Sequence, residues 1–168
     1  MIYKTYKYRS LSQSASNYDD SFNKFIKKSE FPVGVIPYLH QDIINNLEYF
    51  RNELPADCYF TPSPLVEAHI RPNGNGSAHD TEQGMCVSIG SDIFIPAKYW
   101  WVVWTQATKY FNGVGLYLDF NLKGENVPMF HFDLKERKAV WVHSKDKGYV
   151  YDPIGIANIL IRAKNKWE

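Results

Sequence analysis

From Gly113 onward the chain is a succession of strand-like segments, GVGLYLDF, VPMFHFDL, AVWVH and GYVYDP, followed by a helical stretch from Pro153 to about Lys164. In MFHFDL the alternation of an extended chain turns Phe130, Phe132 and Leu134 to one face and His131 and Asp133 to the other. A half-buried strand normally shows water polar residues of no special kind, whereas this face carries an imidazole and a carboxylate within reach of a common point. No internal repeat, low-complexity tract or linker interrupts the sequence. It reads as one α+β domain over residues 1–168, with helices packed on an antiparallel sheet.

Upstream, Ile43, Ile44, Leu47, Tyr49 and Phe50 recur at helical spacing between His40 and Asn52, and Pro55 stops the helix. The segments CYFTP and VEAHIRP read as strands, and a period of two in the second puts Glu67, His69 and Arg71 on one face before Gly74, Asn75 and Gly76 break it. SDIFIP reads as a short strand and Ala97–Phe111 as a helix packed through Trp100, Trp101, Trp104 and Tyr110. Residues 1–37 are polar and aromatic by turns, with a loop over Ser10–Ser16 and a short helix over Tyr18–Lys28 closed by Pro32.

The 168 residues are 45% apolar and 16% aromatic, which supplies one packed core and excludes a disordered chain. Nineteen basic against eighteen acidic residues leave a formal charge of +1, with no electrostatic drive toward nucleic acid or an anionic membrane. The basic clusters Lys4–Arg9 and Arg162–Lys166 read as solvated ends. MIYKTYKYRS lacks the apolar core of a signal peptide, and no segment approaches the roughly 20 apolar residues of a membrane span. The expectation is a soluble protein, cytoplasmic when made, with Cys58 and Cys86 as reduced thiols.

His79 and Asp92 stand near the two ends of a glycine-punctuated stretch, GSAHDTEQGMCVSIGSDIFIP, and His131 is the third candidate ligand. Two imidazoles and one carboxylate leave a fourth tetrahedral position open for water, as in a catalytic rather than a structural zinc site. The separations follow none of the short zinc motifs. Two surface histidines and a strand-terminal aspartate are therefore the competing reading of the same residues. His69 shares a face with Arg71 and either lines a cleft or is satisfied by hydrogen bonds. His40 reads as a helix-start residue, His143 as a strand end and Cys86 as a packing thiol.

Between Leu47 and Trp141, more than half the chain, an ordered set of features resembles a zinc peptidase family. They are Arg71 in an extended segment, SAH ending in His79, Gly84, SDIF with Asp92, the strand GVGLY, FHFD with His131, and Trp141. The family is that of bacterial D-alanyl-D-alanine carboxypeptidases and phage L-alanyl-D-glutamate endolysins, related in fold to the Hedgehog signalling domain. Residues 1–37 form an N-terminal extension to it. The resemblance implies a Hedgehog-like fold, a Zn2+ ion held by His79, Asp92 and His131, and a peptidoglycan peptide as substrate. Arg71, and with it His69, would line the substrate site, the guanidinium pairing with a substrate carboxylate.

Two departures from the pattern matter. Extra residues around Met85–Gly90 lengthen the loop, so that Ser88 occupies the aspartate position of a short-spacing alignment; a neutral hydroxyl is a poor zinc ligand, which favours Asp92. The position three before the last histidine, often an acidic base, is Pro128, leaving Glu125 and Asp133 as candidates to take a proton from water. The expected protein is a phage-type peptidoglycan peptidase, virion-associated or delivered to the cell wall. Pro128 and the absence of a recognisable wall-binding domain support a second expectation, a non-catalytic phage structural or assembly protein that keeps the fold.

Overall fold

In the computed structural model the described residues are 9–17, 19, 24–72 and 76–168. Helix α1, Gln41–Asn52, starts at His40, whose Nδ1 accepts a hydrogen bond from the Asp42 backbone N–H at 3.0 Å. It buries Ile43, Ile44, Leu47 and Phe50, the apolar stripe that its spacing predicts. Strands β1 (Thr61–Pro62) and β2 (Gly90–Phe94) follow, then α2 (Trp100–Gln106), flanked by 3-10 turns at Ala97–Tyr99 and Ala107–Lys109. The remaining strands are β3 (Gly113–Tyr117), the hairpin β4 (Asn121–Leu122) and β5 (Glu125–Asn126), β6 (Met129–Asp133), β7 (Ala139–Ser144) and β8 (Gly148–Val150). Helix α3, Pro153–Trp167, closes the chain; Asp152 caps it by accepting from the Gly155 backbone N–H at 2.7 Å.

Six strands form one sheet in the order β1-β2-β6-β3-β7-β8. It is mixed, not antiparallel as expected, because β3 and β7 pair in parallel, with Gly115 opposite Trp141. The reason is edge competition. β6 pairs antiparallel with β2 on one side and with β3 on the other, so both its edges are filled. The chain reverses after β6 and adds β7 at the free edge of β3, in the direction β3 already runs.

Three other segments depart from expectation. VEAHIRP is not a strand: Val66–Ala68 forms a 3-10 turn, held by Ala68 N–H to Leu65 O and His69 N–H to Val66 O. Glu67 is therefore exposed while His69 is fully buried, and the shared face disappears. The Tyr18–Lys28 helix lies largely outside the described residues, and the described residues 24–27 are not helical. The Ser10–Ser16 loop contains 3-10 turns at Leu11–Gln13 and Ala15–Asn17. The basic cluster Lys4–Arg9, apart from Arg9, and the breakers Gly74 and Asn75 also lie outside the described residues. Among the described residues no helix is long and apolar enough to cross a membrane.

β2, β3 and β6 are buried on both faces. One face carries Ile93, Val114, Leu116, Phe130 and Phe132 into the main core. Phe132 is its hub: its ring stacks on Phe111 at 4.5 Å and on Phe130 at 5.6 Å, and meets Phe50 of α1 edge-on at 6.0 Å. The opposite face holds a smaller cluster of Phe94, Tyr117 and Met129, and beside it Asp92, His131 and Asp133. Phe132→Ala is expected to lower unfolding stability by about 3–5 kcal/mol, the range for emptying a buried Phe site. Urea denaturation should show it as a lower midpoint at unchanged slope; a loss under about 1 kcal/mol would mean that the site collapses onto the void.

Candidate metal centre

Asp92 and His131 lie directly opposite each other on the antiparallel pair β2 and β6, so both side chains rise from the same face at the same point. His79 reaches that point from the long loop between β1 and β2. The loop is pinned by its backbone: Arg71 N–H donates to His79 O at 2.6 Å, Thr81 N–H to Arg71 O at 2.9 Å and Ile89 N–H to Ala78 O at 2.9 Å. Arg9 adds a clamp from outside, its guanidinium donating to Asp80 O at 3.0 Å.

The three side chains converge. Asp92 Oδ1 is 2.8 Å from His131 Nδ1 and 3.5 Å from His79 Nε2, and the two imidazole nitrogens face each other at 2.9 Å. The outer nitrogens are spoken for: His131 Nε2–H donates to Asp133 Oδ2 at 3.0 Å, and His79 Nδ1 lies 3.4 Å from the His69 carbonyl, an acceptor. Each ring therefore keeps its proton outside and turns a lone pair inward. Three electron-pair donors aimed at one another repel unless a cation stands between them. A tetrahedral ion with ligands at about 2.0–2.1 Å separates its donors by roughly 3.3 Å, and the observed separations of 2.8–3.5 Å fit that requirement. Among the described residues His79, Asp92 and His131 are the group of this kind that can hold a metal ion, and all three are buried.

In metal-free protein a proton takes the cation's place. Burial works against a charged His131, but hydrogen bonds to Asp133 and Asp92 override it and push the imidazole up to about 9. Burial drives His79 down, so the proton sits on His131 and His79 is neutral. Burial would also raise both carboxylates; His79 and His131 instead hold Asp92 well below the usual range, and His131 and Arg137 hold Asp133 at about 2.

The rest of the centre is built by absence. Gly113 pairs with Asp133 and Gly115 with His131 on β3. A Cβ at Gly113 would sit 2.1 Å from the Asp133 carboxylate, and one at Gly115 2.4 Å from the Trp141 indole. The bare strip lets Trp141 reach across from β7 and pack against the His131 ring, centroids 5.1 Å apart.

Asp92 also borders a cavity of about 330 Å³, with Glu67, Arg71, Tyr117, Asn121 and Tyr149 in its lining. Arg71 is held in this lining by its Nε–H, which donates to Glu67 O at 2.7 Å. His69 is not in this lining. It is buried, with Nδ1 at 2.8 Å from Ser91 Oγ and Nε2 at 2.8 Å from Ser63 O, and burial lowers it to about 4. Ser88 donates to Gly90 O at 3.1 Å and stays out of the cluster. Glu125 is exposed on the β4–β5 hairpin, and Asp133 accepts from the outer nitrogen of His131 and is not in the cavity lining. Cys86 packs as a buried, free thiol.

Sequence reasoning set Glu67 beside Arg71 without giving it a role, and it passed over Tyr117. For Tyr117 the signal was the phase of β3, since it stands two residues beyond Gly115 and so on the metal-facing side.

Two outcomes follow from this geometry. Asp92→Ala is expected to abolish uptake of added Zn2+ whereas Ser88→Ala retains it, as read by elemental analysis after gel filtration; the reverse would place the ligand in the loop. Metal uptake at pH 7.5 should expel about one proton per ion, because the His131 proton must leave. Calorimetry in buffers of different ionisation enthalpy measures that number. A value near zero would mean that His131 is neutral in the metal-free protein.

Comparison of the chain with protein-family models, with curated proteins and with solved structures gives no match, so what these side chains can hold follows from their donor geometry alone.

Proposed function

We propose that the chain is a zinc-dependent peptidase that hydrolyses a peptide bond in bacterial peptidoglycan, with the Hedgehog-like fold and phage origin that its motif order resembles. The observation that carries this reading is the inward aim of three buried donors beside a cavity that also contains Arg71. Two imidazoles and one carboxylate suit zinc, and three protein ligands rather than four are the mark of a catalytic site. His79, Asp92 and His131 would hold the zinc, which when bound would supply Lewis acidity and a water activated near neutral pH.

The chain's own residues do the rest. Glu67, the carboxylate in the cavity lining that is not a ligand, takes the proton from the attacking water. The Arg71 guanidinium, anchored through Nε, presents its two terminal nitrogens to a carboxylate on the peptide. Tyr117 keeps its hydroxyl proton, because burial raises it, and donates a hydrogen bond to the bound peptide. Phe94, Phe120 and Met129 line the same cavity and exclude water. Asp133 acts through His131, and Glu125 on its hairpin takes no part.

Zinc-loaded protein is expected to release peptide fragments from purified peptidoglycan. Glu67→Gln should keep its zinc and lose about 10²–10⁴-fold in rate, the usual share of a general base. Loss on Glu125→Gln instead would move the base to the hairpin. No fragments from any of several crosslink types, with zinc content verified, would end the peptidase reading and leave the non-catalytic phage protein in its place.

A further inference from the structure

We infer that Arg137 is a positioning residue for the metal centre, acting through Asp133 on His131; this rests on the metal reading of the site, not on peptidase activity. Asp133 is fully buried, and its carboxylate is occupied on every side. Oδ2 accepts from His131 Nε2–H at 3.0 Å, and Oδ1 accepts from the Lys135 backbone N–H at 2.9 Å. The Arg137 fork then spans both oxygens, Nη1 to Oδ1 at 3.3 Å and Nη2 to Oδ2 at 3.2 Å. A bidentate guanidinium fixes the plane of a carboxylate, which one point contact cannot do. The plane of Asp133 in turn fixes the rotation of the His131 ring and with it the aim of Nδ1.

Arg137 touches the second support of the same ring as well. Its guanidinium lies 5.8 Å from the centre of the Trp141 indole, which packs on His131. One side chain from the turn between β6 and β7 therefore braces both the edge and the face of a ligand that it never touches. Gly113 completes the seat by leaving the carboxylate the only space in which it can stand.

Charge and orientation make opposite predictions, which renders the inference testable. By Coulomb's law alone, removing a cation near a metal site should tighten metal binding. If orientation governs, removing the fork weakens it. Zinc affinity is measured by competition with a chromophoric chelator, on wild type, Arg137→Met, Arg137→Lys, Asp133→Asn and the double variant Asp133→Asn/Arg137→Met. Methionine keeps the apolar stem against Trp141, and lysine keeps the charge without the fork.

Arg137→Met and Arg137→Lys are each expected to weaken zinc binding about tenfold, the lower end of the range for residues that orient a metal ligand. In the Asp133→Asn background Arg137→Met should add nothing, since its route to the metal is already cut. Unchanged or tighter binding in Arg137→Met, wild-type affinity in Arg137→Lys, or the same loss with Asn at 133 would each overturn the inference. So would an equal drop in melting temperature of metal-free and zinc-loaded Arg137→Met with affinity unchanged, the signature of a merely structural residue. Wild type that takes up no zinc would overturn the metal reading, and this inference with it.

Discussion

The pairing of Asp92 with His131 across β2 and β6 is the contact on which the rest of the site depends. Side chains alternate strictly along a strand, so a slip of one residue would send Asp92 into the aromatic core and bring Ser91 or Ile93 beside the histidine. The register is held by hydrophobic burial on the other face, where Ile93, Phe130 and Phe132 have no alternative place to go. The same alternation that builds the core thus aims two of the three ligands. Only His79 needs a separate device, and it has one in the backbone bonds that tie its loop to Arg71, to Ile89 and to Arg9.

That arrangement stacks charge where water is scarce. Asp92 and Asp133 are both buried, with His131 between them, and a buried carboxylate is costly unless paired and hydrogen-bonded. A proton on His131 meets the requirement, and a metal ion could take its place. The ligands come from a loop and two strands, His79 and His131 being 52 residues apart, so an ion here ties together segments that the chain alone brings together only on folding.

Much of this was legible in the sequence, for a definable reason. The alternation in MFHFDL announces both the core residues and the ligand, since a strand reads its faces aloud. Helices α1 and α3 followed from equally local signals. The direction of β7 did not, because it depends on which sheet edges are already filled. VEAHIRP misled because Glu67, His69 and Arg71 mimic a strand face; what overrides the pattern is distant, the Ser63 carbonyl and the Ser91 hydroxyl that hold His69 inside. Asp92 over Ser88 could be argued from ligand chemistry, whereas the contacts of Arg137 with Asp133 and Trp141 show only once the turn between β6 and β7 is folded.

Gly113 and Gly115 offer the site nothing but room. Neither has a side chain that could donate, accept or pack, yet even a methyl group at either position would collide with the Asp133 carboxylate or the Trp141 ring. In a library of random variants these two positions would be as empty of survivors as those of the ligands. Intolerance of substitution would not, on its own, separate the residues that bind from those whose contribution is to stay out of the way.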